Sequence, residues 1–216
     1  MNSIAASQHP RPSPEGYGAG VFQTTFSTLV TAALPEAVRT VGTPIEIWHQ
    51  DEARIVQQAT LTYIWADKGS RPAAPKDLRY EWAYLFGAVC AERGVGAGLV
   101  LPYANAEMMN LQLAEISQRV AAGAHRVLVV DGAGWHQSAG RLRVLDNLSL
   151  LHLPPYSPEL NPAENVWQYL RQNHLSNRVF ASYDAVVDAC CDAWMTLMNT
   201  PEHIRSIATR SWTHVT

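Results

Sequence analysis

Two short apolar runs constrain this chain more than any other feature. RVLVVD (126–131) carries no polar residue between Arg126 and Asp131 and ends at Gly132, while LSLLHL (148–153) stops at Pro154-Pro155. A strand with one wet face alternates apolar and polar residues; an unbroken apolar run fits a strand covered on both faces. Such strands belong to sheets packed between helices, so the expected class is α/β.

The surrounding text supplies the other elements. IEIWHQDE (45–52) alternates, with Ile45, Ile47, His49 and Asp51 on one face, and predicts a strand closing at Asp51. TLTYIWADKG (60–69), YLFGAVCAERG (84–94) and GAGLVLPY (96–103) are further strand candidates with tight connections, suggesting an antiparallel meander. Asn105 caps a helix with Met109, Leu113, Ile116 and Val120 at helical spacing and Gly123 past its end. A short polar helix is expected at about 138–143. Asn161-Pro162 opens a helix through about Asn173. Ser182 caps a long one to about Met198, with Val186, Cys190, Trp194 and Leu197 inward. Residues 1–20 are rich in Pro, Gly and Ser, and 21–43 are weakly patterned with room for one short helix. Residues 1–43 therefore read as a disordered leader and linker, and 44–216 as one domain with a mixed sheet.

Charge narrows the function classes. Sixteen basic residues against nineteen acidic give −3, and charged residues make up 16% of the chain. That excludes a highly basic nucleic-acid coat, a disordered acidic chain and a charged coiled coil, but not DNA binding through local basic patches. No apolar run approaches the ~20 residues that span a bilayer. The N-terminus lacks the pattern of a signal peptide, so the expected location is cytoplasmic, nucleoid-associated when bound to DNA. Cys90, Cys190 and Cys191 form no CxxC pair, and read as small buried hydrophobes.

Three acids sit where apolar elements end or begin: Asp51, Asp131 and Glu164. Carboxylates at strand ends and a helix start converge on one edge of a sheet, where ligands of α/β proteins bind. Oxygen ligands of this kind suit Mg²⁺ or Mn²⁺, and two such ions promote in-line displacement at phosphodiesters. Each acid has a duller reading. Asp51-Glu52 fits a solvated strand end, Asp131-Gly132 a turn, and Glu164 a capping box on Asn161.

VVDGAGWHQS (129–138) and LHLPPYSPELNPAENVWQYLR (151–171) resemble the catalytic core of mariner-related transposases of the insertion-sequence-630 family. IWHQDEARIVQQATLTYIWADKGSRP (47–72) resembles that family's first-acid region, and YLFGAVCAERGVGAGLVLPYAN (84–105) the following hairpin. The resemblance implies an RNase H-like fold, a mixed five-stranded sheet flanked by helices, with a DDE triad at Asp51, Asp131 and Glu164 rather than Glu159. It implies two Mg²⁺ ions, replaceable by Mn²⁺. Two departures stand out: Gly132 follows the second acid where Asn is common, and the 32 residues between Asp131 and Glu164 are slightly fewer than usual.

The resemblance also places His136 as a supporting residue that orients a phosphate or water, or else packs beside Trp135. Glu52 either tunes the field of the site or faces solvent. Arg54, Lys68, Arg71, Lys76 and Arg79 form the strongest local basic segment and are candidates for phosphate contact. Arg119, Arg126, Arg141 and Arg143 form a second group around Asp131. Asp184, Asp188 and Asp192 recur as one helix face, which normally lies in water. Trp167 and Trp194 read as packing residues.

The implied activity is cleavage at the ends of an insertion sequence, freeing a 3′-OH that attacks a TA-containing target. The family's helix-turn-helix modules do not fit in the 44 residues before Ile45, so a separate DNA-binding polypeptide or upstream-frame product is expected as partner, with a homodimer in the active complex. Two rival expectations are a non-catalytic remnant that regulates a complete transposase, and an RNase H-like nuclease.

Overall fold

A computed structural model describes residues 15–57, 81–132 and 141–213, with side chains from Ala19 onward. Its centre is a five-stranded sheet built from β1 (Ile45–Val56), β2 (Trp82–Cys90), β3 (Val95–Leu101), β4 (His125–Val130) and β5 (Leu148–His152), in the spatial order β3-β2-β1-β4-β5. β1, β2 and β3 pair antiparallel, whereas β4 joins β1 and β5 joins β4 in parallel. All six residues of β4 are buried, as its unbroken apolar run requires. The expected α/β class and mixed sheet are both present. The strand candidate at 60–69 and residues 138–140 of the expected short helix lie outside the described residues, while 141–143 are not helical.

Helices cover both faces. On one, α3 (Ala106–Gln118) lays Met109, Leu113 and Ile116 against Trp48, Phe86, Leu128 and Val130. Asn105 caps it as expected, its side chain accepting the Met108 N–H at 2.9 Å. On the other face, α4 (Ala163–Leu170), α5 (Tyr183–Met198) and α6 (Pro201–Ala208) pack over β1 and β2. One helical boundary differs from expectation: the helix opened by Pro162 gives way to a wider π turn at Arg171–Leu175, while α5 ends at Met198 as expected and Pro201 starts a further helix, α6.

The leader is corrected in part. Glu15–Ala33 forms a 19-residue helix, α1, followed by α2 (Glu36–Val41). Phe22, Phe26, Val30 and Leu34 recur every four residues and are buried against Val127, Val129 and Leu151 of β4 and β5. Trp212 closes the same cluster, with its ring centroid 5.0 Å from that of Phe26 and 5.9 Å from that of Phe22. This segment is part of the packed body rather than a disordered linker, because an exposed apolar strand face needs a cover.

Candidate active site

The strand register decides which acids meet. His49 of β1 pairs with Val129 of β4 at the end of their ladder, and two residues further on the strand period carries Asp51 and Asp131 toward the same end and face of the sheet. Asp51 does not close its strand as expected. β1 continues to Val56, and Asp51 lies opposite Gly87 of β2. The reading of Asp51 as a solvated strand end is thereby overturned, since only 9% of the residue is exposed.

Glu164 arrives from the first turn of α4, and Asn161 determines where that turn sits. Its amide donates to the Gln50 carbonyl at 3.1 Å, beside Asp51, and its Oδ1 accepts the Ala163 N–H at 3.1 Å. The Asn161 backbone N–H is taken by the Pro158 carbonyl at 2.9 Å, so it is not the partner a capping-box role for Glu164 requires. Asp51, Asp131 and Glu164 all line one cavity of about 430 Å³ at the end of the parallel strands, walled by Pro154, Tyr156 and Asn161.

Asp51 is held by a device absent from the sequence reading. Its Oδ2 accepts the Trp167 indole N–H at 3.0 Å, and its Oδ1 accepts the Glu52 N–H at 2.9 Å. The indole lies where it does because Gly87 and Gly98, paired across β2 and β3, leave room for it and for Trp194. A Cβ on Gly87 would meet Trp167 at 2.5 Å, and one on Gly98 would meet Trp194 at 2.5 Å. The signal was present as glycines inside strands, which mark close approach.

Burial first, then the charge of Glu52, raises the Asp51 carboxyl to about 7; the Trp167 bond opposes the shift and the Glu164 charge adds to it. Glu52 is half-buried one residue along β1, and so turned to the other sheet face. Arg54 is exposed three residues past Asp51, its guanidinium 4.3 Å from the Trp82 ring centre. His136, Lys68, Arg71, Lys76 and Arg79 lie outside the described residues. Of the second basic group, Arg126 is fully buried at the far end of β4, so it is not a phosphate contact.

The donor set has the chemistry of a divalent-cation site: three anionic oxygen ligands from three parts of the chain, and no described basic side chain in the lining. Among the described residues, no three His, Cys, Asp or Glu side chains are gathered into one ligand shell. No described helix is long and apolar enough to cross a membrane.

Comparison with known proteins bears on the family and the fold. Residues 46–187 match the DDE superfamily endonuclease family. The chain is 56% identical over 133 residues to the uncharacterized protein y4pE/y4sA of Sinorhizobium fredii (strain NBRC 101917 / NGR234), covering 62% of this chain and 98% of that protein. Among solved structures, it resembles the Mos1 mariner paired-end complex with Mn at 16% identity and a TM-score of 0.58, covering 97% of this chain and 67% of that one. The Mos1 paired-end complex with Mg matches at 15% identity and a TM-score of 0.59, covering 95% and 65%. At such identities the likeness is one of fold. The mixed five-stranded sheet between helices is the fold it shares with these structures, and by its match over residues 46–187 the chain belongs to the DDE superfamily endonuclease family.

Proposed function

We propose that this chain cuts DNA strands at the ends of an insertion sequence and joins the freed ends to target DNA. The observation that carries the reading is the sharing of one cavity by Asp51, Asp131 and Glu164. Asp51 and Asp131 would hold two Mg²⁺ ions, or Mn²⁺ in their place, and Glu164 would complete one of the two sites. When bound, the ions supply Lewis acidity that activates a water and stabilises the departing oxygen of a phosphodiester.

The chain's own part is positional and electrostatic. Trp167 fixes the orientation of Asp51 through its indole N–H, and Asn161 ties the start of α4 to β1. Without a cation in the cavity, burial and then the charge of Glu52 hold the Asp51 carboxyl up at about 7, so a bound cation would displace a proton there. In the first step water adds at phosphorus as the P–O3′ bond breaks, leaving a 3′-OH and a 5′-phosphate. In the second, that 3′-OH attacks a phosphodiester at a TA dinucleotide, and the number of phosphodiester bonds is conserved. Arg54, Lys68, Arg71, Lys76 and Arg79 would contact phosphates, and His136 would orient one. End recognition would come from a separate helix-turn-helix polypeptide, the active complex would hold two copies of this chain, and the setting would be the cytoplasm.

The test is incubation of the full chain with terminal-repeat DNA and Mg²⁺, alone and with the helix-turn-helix polypeptide. Nicking that disappears in Asp131→Asn is the expected result. A folded wild type that nicks in neither mixture would point instead to a non-catalytic regulatory partner.

A further inference from the structure

The four arginines that surround Asp131 in the sequence divide sharply in the structure. Arg126 is fully buried against Glu46 and lies over the Trp48 ring, 3.6 Å from its centre. Arg119 pairs with Glu115 at 3.0 Å along α3. Arg141 and Arg143 are exposed, and neither guanidinium forms an ion pair with a described residue. Together with Asn105, Glu107, Asn110 and Leu111 they line a groove of about 620 Å³.

The backbone carrying these two arginines is fixed from α3. Asn110 accepts the Arg143 N–H at 2.7 Å and donates to the Arg141 carbonyl at 3.0 Å. Leu142, between them, packs into the core beneath α3. Two residues of chain span at most ~7 Å, which is close to the separation of successive phosphates on one nucleic-acid strand.

The groove lies toward the same end of the sheet as the acids but on the opposite face, since α3 packs against Trp48 and Phe86 whereas Asp51 is bonded to Trp167 of α4 on the other side. Leu101 at the end of β3 is in register with Tyr84, and Tyr84 with Arg54, three residues past Asp51. α3 begins shortly after Leu101, so Asn105 and Glu107 stand at that end, while Arg141 lies ten residues along the chain from Asp131.

We propose that this groove is a track for the DNA phosphate backbone, separate from the carboxylate cavity, in which Arg141 and Arg143 each neutralise one phosphate. The proposal rests on the DNA-cleaving function above. Planar guanidinium forks match phosphate oxygens in pairs, and Leu111 offers an apolar wall to the sugar between them. Glu107 leaves the two arginines with a net charge of +1 in the groove, so both are needed to attract a polyanion. Asn110 is a positioning residue that holds the two arginines in register. An acidic protein segment is the competing occupant; two guanidinium groups two residues apart, at about the spacing of successive phosphates, favour DNA.

The experiment titrates the full chain with a fluorescent DNA duplex at several salt concentrations without divalent cation, beside the nicking assay. The Arg141→Gln, Arg143→Gln double variant is expected to bind more weakly. Its slope of log affinity against log salt should be shallower by about 1.8, since each phosphate contact contributes about 0.9. The Arg141→Lys, Arg143→Lys variant should restore the slope, which a merely misfolded groove would not allow. Unchanged affinity and slope in the Gln variant, with wild type still nicking DNA through Asp131, overturns the groove proposal alone. A wild type that neither binds nor nicks DNA overturns both. Unchanged DNA binding with an altered oligomeric state assigns the groove to a protein partner and overturns the DNA track.

Discussion

Asp51 is the residue on which the site turns, and its surroundings are unusual for a carboxylate. It is buried, flanked by acids and held by one indole N–H and one backbone N–H. Trp167→Phe keeps the aromatic bulk and removes the donor. Loss of a hydrogen bond to a charged group should lower strand cleavage roughly tenfold or more and move the acid limb of the pH–rate profile to higher pH. An unchanged profile would reduce Trp167 to a packing residue. His49, two residues earlier, is buried with neither ring nitrogen bonded to a described residue, and burial and Arg210 push it down to about 3. The two groups oppose each other in stability. Asp51, raised, stabilises the metal-free fold below about pH 4, and that contribution is lost as pH rises toward 7. His49, lowered, stabilises it above about 6.5, and that contribution is lost as pH falls toward 3. Their slopes cancel over most of pH 4–6.5, so denaturation curves of the metal-free wild type should be nearly flat there. Asp51→Asn should leave a stability that climbs with pH by up to about 1.4 kcal/mol per unit. A variant as flat as wild type would contradict the burial of His49.

At the scale of elements, the site depends on packing well away from it. Gly98→Ala drives a methyl into the Trp194 ring, which shares its layer with Trp167. Overpacking of this kind should cost about 1–3 kcal/mol, read from denaturant unfolding, and should lower cleavage by disturbing the seat of Trp167. At the opposite end of β1, Glu46 accepts from Arg93 and the Trp48 indole at 2.9 Å each and lies 3.4 Å from Arg126. Removing it in Glu46→Ala leaves Arg126 buried without its counter-charge and should destabilise by about 3–5 kcal/mol. The strands most easily read in the sequence were those in which local pattern and final environment agree. RVLVVD is apolar throughout because both of its faces are covered, and Asn105 and Ser182 cap their helices with bonds any helix start can use. The extent of β1 was not legible. Its far half reads Asp-Glu-Ala-Arg, and only the antiparallel ladder to β2 keeps those residues extended. Trp167 reads equally well as core or as anchor, because its indole N–H finds Asp51 from a position 116 residues away along the chain.

For the molecule as a whole, the main correction concerns α1. Its row of Phe22, Phe26, Val30 and Leu34 was visible, but the Pro- and Gly-rich text before it masked a helix whose worth comes from the sheet it covers rather than from its own propensity. Phe26 is buried between β4 and Trp212, so Phe26→Ala should lower global stability by about 3–5 kcal/mol in a single unfolding transition. A loss confined to a separate early transition would make α1 an appendage instead. The net charge of −3 also takes on a local meaning. Asp51, Asp131 and Glu164 share one cavity at the parallel end of the sheet, while Arg54, Arg141 and Arg143 stand exposed outside it. The central claim is that Asp51, Asp131 and Glu164 act as one cation site. Fe²⁺ bound in place of Mg²⁺ cuts a polypeptide wherever the backbone passes close to the ion, so peroxide treatment followed by fragment mapping tests the claim directly. The expected pattern is cuts near residues 51, 131 and 164 together, suppressed by excess Mg²⁺ and all lost in Asp131→Asn. Cuts confined to one of these regions, or surviving that substitution, would contradict it.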